Sequence, residues 1–177
     1  MAYAARWMWV FGYGSLVFRP GFAWVERRRA FVRGFVRRFW QGSPDHRGVP
    51  DAPGRVVTLV REEGATCGGC AYRIASEGAD EVLAALDRRE QAGFEREDVA
   101  LFDADGAELG RAVTWIAGPE NAHFLGPLPE REIADVIRAR RGPSGPNAEY
   151  ALLLRDALRA LDVRDEHVEA VVAHLSP

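Results

Sequence analysis

Lysine is absent from the 177 residues, so all 23 basic side chains are arginines. That excludes Schiff-base chemistry and any phosphate loop built around a lysine. Cysteine occurs only at Cys67 and Cys70, too few for a disulfide framework. No second Cys/His cluster stands at zinc-ligand spacing, so the expectation is no metal. No apolar run approaches the length of a membrane span. Met1 to Trp9 carries a single arginine and no cleavage-site pattern, so a signal peptide is not expected and a cytoplasmic location is. No serine sits in a nucleophile-elbow context. The formal charge of −3 argues against a general nucleic-acid binder. Repeats, low-complexity tracts and linkers are missing as well.

What is present is an ordinary globular composition, 47% hydrophobic and 28% charged. This length can bury a core unaided, and residues 1–177 read as one domain. Trp7 to Phe11 reads as a buried strand. It feeds the turn Phe11-Gly12-Tyr13-Gly14-Ser15-Leu16, whose backbone N–H groups can cradle a small anion. Arg29 to Trp40 reads as a long strand with one wetter face. A loop rich in turn residues follows from Gly42 to Gly54. A loop of that length in a compact domain is usually functional. Arg55–Val60 and Cys70–Ile74 are expected to form a hairpin around Glu62-Glu63-Gly64, and Val99–Phe102 a second one with Ala112–Ile116. Helices are expected over Gly78–Gln91, about Glu130–Arg140, from an Asn147 N-cap to about Leu161, and about Asp165–His174. The class is α+β, with mostly antiparallel strands and helices gathered late in the chain.

Among the carboxylates, Glu90 continues the apolar stripe of Leu83 and Leu86 and so faces inward. Such an acid either pairs with a neighbour such as Arg88 or Arg89, or carries the raised pKa useful to a general base. Helical geometry alone favours the pair. Cys67-Gly-Gly-Cys70 reads as small residues leading into a hairpin, not as a redox pair. His46 reads as a loop-fixing residue. Arg37, Arg38, Arg47 and Arg55 read as solvated or paired, with one able to clamp a carboxylate. Trp24, Phe31, Phe35, Phe39 and Trp40 read as core, and Tyr150 as a half-buried helical residue.

Seven blocks in order carry a family resemblance. They are Phe11–Leu16, Arg37–Pro50, Gly54–Leu59, Ala71–Ile74, Asp87–Phe94, Phe124–Pro127 and Gly142–Tyr150. Together they closely resemble the ChaC-type γ-glutamylcyclotransferases, described as glutathione-specific. The resemblance implies a compact β-barrel core ringed by helices. It implies conversion of glutathione to 5-oxoproline and cysteinylglycine, with no cofactor. It implies that Glu90 is the catalytic acid/base and that Tyr13, Gly14, Ser15 and Leu16 hold substrate, with Tyr150 lining the pocket. The chain departs from the pattern at Ala92-Gly93-Phe94, where the family commonly has Gly-Gly-Tyr, and at Pro44, where it often has Thr. Those departures leave two other readings open: action on other γ-glutamyl amines, and a non-catalytic binder of γ-glutamyl compounds.

Overall fold

The computed structural model describes residues 8–176. Met8–Gly12 forms β1, with Val10 and Phe11 fully buried. Trp7, expected at the start of this strand, lies outside the described residues. Ser15–Phe18 makes a single helical turn, α1. Two long antiparallel strands follow, β2 (Glu26–Ser43) and β3 (Gly54–Ile74). Helix α2 spans Ala79–Arg89 and precedes the hairpin of β4 (Glu95–Phe102) and β5 (Glu108–Ile116). Helix α3 covers Glu130–Ala139. A two-residue ribbon, β6 (Arg141–Gly142) with β7 (Gly145–Pro146), leads into α4 (Asn147–Ala160) and then α5 (Glu166–Ala173).

The strands close into a barrel in the order β1-β3-β2-β4-β5. Every pair is antiparallel except the seam between β1 and β5, where Trp9 meets Ala112 and Val10 meets Val113 in parallel. The pairing between β2 and β4 that closes the barrel is the single pair Phe31 with Phe102. The late helices supply Ile133, Ile137, Leu154, Leu158, Val168 and Val171 to the core. Each such side chain stabilises the fold by about 1.5–3 kcal/mol on full burial. The expected α+β class and barrel with surrounding helices are therefore present.

Three local expectations need correction. Gly54–Ile74 is one strand, not a hairpin. Phe35 pairs with Arg61 and Arg33 with Thr66, so residues 62–65 stand opposite Gly34 as a long bulge. Gly34 and Gly64 both take positive φ there, +80° and +77°, which bends the two strands together instead of reversing one. Asn147 does not cap α4. Its buried amide accepts from Arg55 N at 2.8 Å and donates to Arg55 O at 2.9 Å, imitating a strand partner at the start of β3. Trp24, read as core, is 46% exposed, whereas Phe35 and Phe39 are buried as expected.

Candidate active site

The glycine turn sits where β1 leaves the barrel, and close packing explains its composition. A Cβ on Gly12 would stand 2.8 Å from Leu16 Cβ, and one on Gly14 would stand 3.1 Å from both Tyr150 Oη and Val57 Cγ2. Within Cys67-Gly-Gly-Cys70, Gly69 serves the same turn, since a Cβ there would lie 2.4 Å from the Gly12 carbonyl oxygen, whereas one on Gly68 would meet Val163 and Phe31. This motif is mid-strand on β3, not at a hairpin, and glycine there marks a close backbone approach. Both thiols are free and buried.

Arg37 locks the turn from behind. Its buried guanidinium donates to Tyr13 O at 2.7 Å and to Gly68 O, and pairs with Asp165 at 2.6 Å. Asp165 also caps α5 by accepting from Val168 N. A fully buried cation is tolerated only with such complete pairing.

Glu90 stands at the C-cap of α2, its N–H bonded to Leu86 O at 2.9 Å. The inward direction expected from the stripe is observed: its side chain is only 17% exposed. The pairing expected from helical geometry is present, but long and through one nitrogen only. Arg89 Nε lies 3.9 Å from Glu90 Oε1, but the rest of that guanidinium is turned away, donating to Ser15 Oγ at 3.0 Å and to Pro20 O at 3.1 Å. Among the described residues nothing donates a hydrogen bond to the Glu90 carboxylate. Burial raises its pKa above the usual glutamate range. The charges of Arg89 and His46 oppose that rise and Asp45 reinforces it.

Two cavities share this carboxylate. A narrow crevice of about 40 Å³ is lined by Tyr13, Gly14, Ser15, Leu16, Glu90 and Tyr150, among others. It opens beside a cavity of about 330 Å³ that also meets Ser15, Glu90 and Tyr150. The six residues implied by the resemblance are thus brought together from three separate stretches of chain. The tyrosines differ in what they can offer. Tyr13 donates its proton to Trp115 O at 2.6 Å, inside the barrel. The Tyr150 hydroxyl instead accepts from Val57 N at 3.3 Å, leaving its own proton to be donated. Burial raises the pKa of both phenols, so both are neutral at ordinary pH. Likewise Ser15 Oγ accepts from Arg89 and keeps its proton to give.

The segment after Glu90 is fastened by a side-chain amide pair that sequence reading did not single out. Gln41, fully buried, donates to Ala92 O at 2.8 Å and to Asn121 Oδ1 at 2.9 Å, and accepts from Asn121 Nδ2 at 3.0 Å. Gly93 has φ +90°, and a Cβ there would meet Asn121 Oδ1 at 2.2 Å. At the neighbouring Ala92 φ is not positive, so a side chain is accommodated without backbone strain.

The arginines are distributed differently from expectation. Arg55 is buried, donating to Phe39 O and Gly126 O. Arg38 lines a separate groove beside Glu130 and His167. Of the four arginines around the long loop only Arg47 reaches the larger cavity, where it is held by Pro146 O at 3.0 Å and Glu149 at 3.6 Å. Arg19 and Arg89 join it there; sequence reading named Arg89 only as a partner for Glu90 and did not name Arg19. His46 does fix its loop, with Nδ1 3.1 Å from Ser144 Oγ.

A closed barrel that aims a glycine turn at an inward carboxylate is the γ-glutamylcyclotransferase fold. The solved glutathione-specific γ-glutamyl cyclotransferase from yeast superposes with a TM-score of 0.88 at 30% identity, covering 96% of this chain and 95% of that one. The family model for ChaC-like proteins matches residues 8–176, and the chain belongs to that family. The mouse glutathione-specific gamma-glutamylcyclotransferase 1 is 43% identical over 170 residues, covering 93% of this chain and 76% of that protein. Gamma-glutamylcyclotransferase 2-3 of Arabidopsis thaliana is 42% identical, covering 91% and 84%.

Proposed function

We propose that this protein is a glutathione-cleaving γ-glutamylcyclotransferase, a carbon–nitrogen lyase producing 5-oxoproline and cysteinylglycine. The observation that carries the reading is the unbonded, inward Glu90 carboxylate beside the glycine turn, at the junction of the two cavities. Relatives named for this activity, similar over more than 90% of the chain, support it.

The α-amine of the γ-glutamyl group attacks its own γ-carbonyl and closes a five-membered ring. Nucleophile and electrophile belong to one molecule, so the protein's task is to hold the folded pose and move one proton. Glu90 takes that proton from the attacking, neutral α-amine as the C–N bond forms. It returns the proton to the departing nitrogen as the amide C–N bond breaks. A raised pKa suits both halves of this duty. The Ser15 and Tyr150 hydroxyls donate to the α-carboxylate or to the oxyanion developing on the γ-carbonyl. The amides of Ser15 and Leu16 open α1 and have no acceptor within it, so they serve the same charge. Gly14 keeps this surface open, and Tyr13 supports the turn through its bond to Trp115 O. A space of about 40 Å³ holds a carboxylate-sized group and little else. The remainder of the substrate therefore lies in the larger cavity.

The reading treats the chain as one catalytic unit in the cytoplasm, where Cys67 and Cys70 stay reduced. The test is incubation of the purified protein with millimolar glutathione, following 5-oxoproline and cysteinylglycine. Both products are expected in equal amounts. Absence of product from glutathione, with turnover of another γ-glutamyl amine, would reassign the substrate. Binding without turnover of either would make the protein a binder.

A further inference from the structure

The larger cavity is charged in a way that the chemistry at Glu90 does not use. Its lining carries three guanidiniums, Arg19, Arg47 and Arg89, against the carboxylates of Glu90 and Asp45. Arg47 is answered by Glu149 and Pro146 O, and Arg89 by Ser15 Oγ and Pro20 O. Asp45 sits 3.7 Å from His46. Arg19 is different: it is exposed, and among the described residues it makes no ion pair and no hydrogen bond through its side chain. Burial lowers the pKa of both Arg47 and Arg89, their neighbouring carboxylates oppose it, and the charge of Arg19 adds to the lowering. Among the described residues the cavity therefore holds a cation cluster with one member unanswered.

We infer that Arg19 is a specificity-determining residue that receives the C-terminal carboxylate of the substrate. This rests on the proposed reaction. With the γ-glutamyl head anchored at the crevice, the leaving dipeptide extends into the larger cavity. Two residues reach roughly 7 Å when extended, enough to carry a terminal carboxylate from the crevice toward the cavity wall. A γ-glutamyl tripeptide has two carboxylates and one ammonium. The ammonium faces Glu90, the first carboxylate faces the glycine turn, and the second meets Arg19. A substrate placing no negative charge nearby leaves the cations mutually repelled.

The experiment compares glutathione with its glycyl monoethyl ester, which lacks only that negative charge, on wild type, Arg19→Gln and Arg19→Lys. In wild type the KM for the ester is expected to exceed that for glutathione by roughly fivefold, the scale of a solvent-accessible ion pair. Arg19→Gln is expected to raise the glutathione KM to the ester's value, with kcat within about twofold. Arg19→Lys, which keeps the charge, restores most of the preference. Equal KM values for acid and ester in wild type would overturn the subsite while leaving the cyclotransferase reading intact. So would an Arg19→Gln effect of the same size on both substrates. Failure of wild type to turn over either compound would remove the reaction itself, and the inference with it.

Discussion

Replacing Glu90 by Gln keeps the shape of the side chain and removes its ability to carry a proton. The carboxylate accepts no hydrogen bond among the described residues, so the substitution removes only the long 3.9 Å ion pair with Arg89 and its main effect is on protonation. Loss of a positioned acid/base is expected to lower kcat by about 10²–10⁴-fold. That corresponds to about 2.7–5.5 kcal/mol of barrier, at about 1.4 kcal/mol per tenfold. Wild-type kcat/KM should fall on an acid limb displaced above the ordinary glutamate range, because burial raises the Glu90 pKa. The variant should lack that limb. Stability moves in the opposite direction. A raised folded-state pKa means that the native protein binds more protons than the unfolded chain between the ordinary and the raised values. Wild-type stability contributed by this group is therefore present at low pH and is lost as pH rises through the raised pKa. Glu90→Gln has no such loss, so its Tm should exceed that of wild type above the window and converge with it below. Product formation at fixed enzyme concentration and thermal melts from pH 4 to 8 measure both. Turnover within tenfold of wild type, or a surviving acid limb, would refute the assignment of the base. A lower Tm for the variant at pH 8 would refute the account of its burial.

Three further substitutions probe the surroundings of the site. Tyr150→Phe removes the acceptor for Val57 N–H and the proton aimed at substrate. It is expected to cost about 1 kcal/mol of stability and about tenfold in kcat/KM, whereas changes under twofold in both kcat and KM would show that the hydroxyl takes no part. Gly93→Ala places a Cβ 2.2 Å from Asn121 Oδ1 at φ +90°. A loss of at least about 2 kcal/mol, hence a Tm drop of roughly 4–8 °C for a chain of this size, is expected, and an unchanged melt would contradict it. Asn147→Ala leaves the N–H and C=O of Arg55 unsatisfied. Urea unfolding should show about 2–4 kcal/mol less stability at unchanged m-value, and a loss below 0.5 kcal/mol, an order-of-magnitude bound, would contradict the pairing.

The late helices, the α+β class and the inward direction of Glu90 were all legible from local patterns. Apolar periodicity and turn chemistry act within a few residues, so they survive without a fold. The N-cap at Asp165 and the hairpin at Asp103–Gly106 are of the same kind. The seven ordered blocks identified the family for a related reason: their spacing encodes the same packing, whatever the intervening residues. Where local signals misled, a distant partner had intervened. Glu62-Glu63-Gly64 has the composition of a turn, but β2 runs alongside and Gly34 lets the two strands bend together. Asn147 has the composition of an N-cap, but the backbone of Arg55 takes its amide. Of the paired glycines in Cys67–Cys70, Gly69 gained its meaning from Gly12, more than fifty residues earlier, and Gly68 from Phe31 and Val163.

By itself, then, the sequence determined which residues could do the chemistry and which way each short element faces. Only the tertiary structure decided which charges are left unanswered. Arg37 and Arg55 are spent on buried carbonyls, Arg38 faces another groove, and Arg89 turns from Glu90 to Ser15. Those choices depend on burial and on partners far apart in the chain. In a protein whose every basic side chain is arginine, composition alone cannot tell a structural cation from one held ready for substrate.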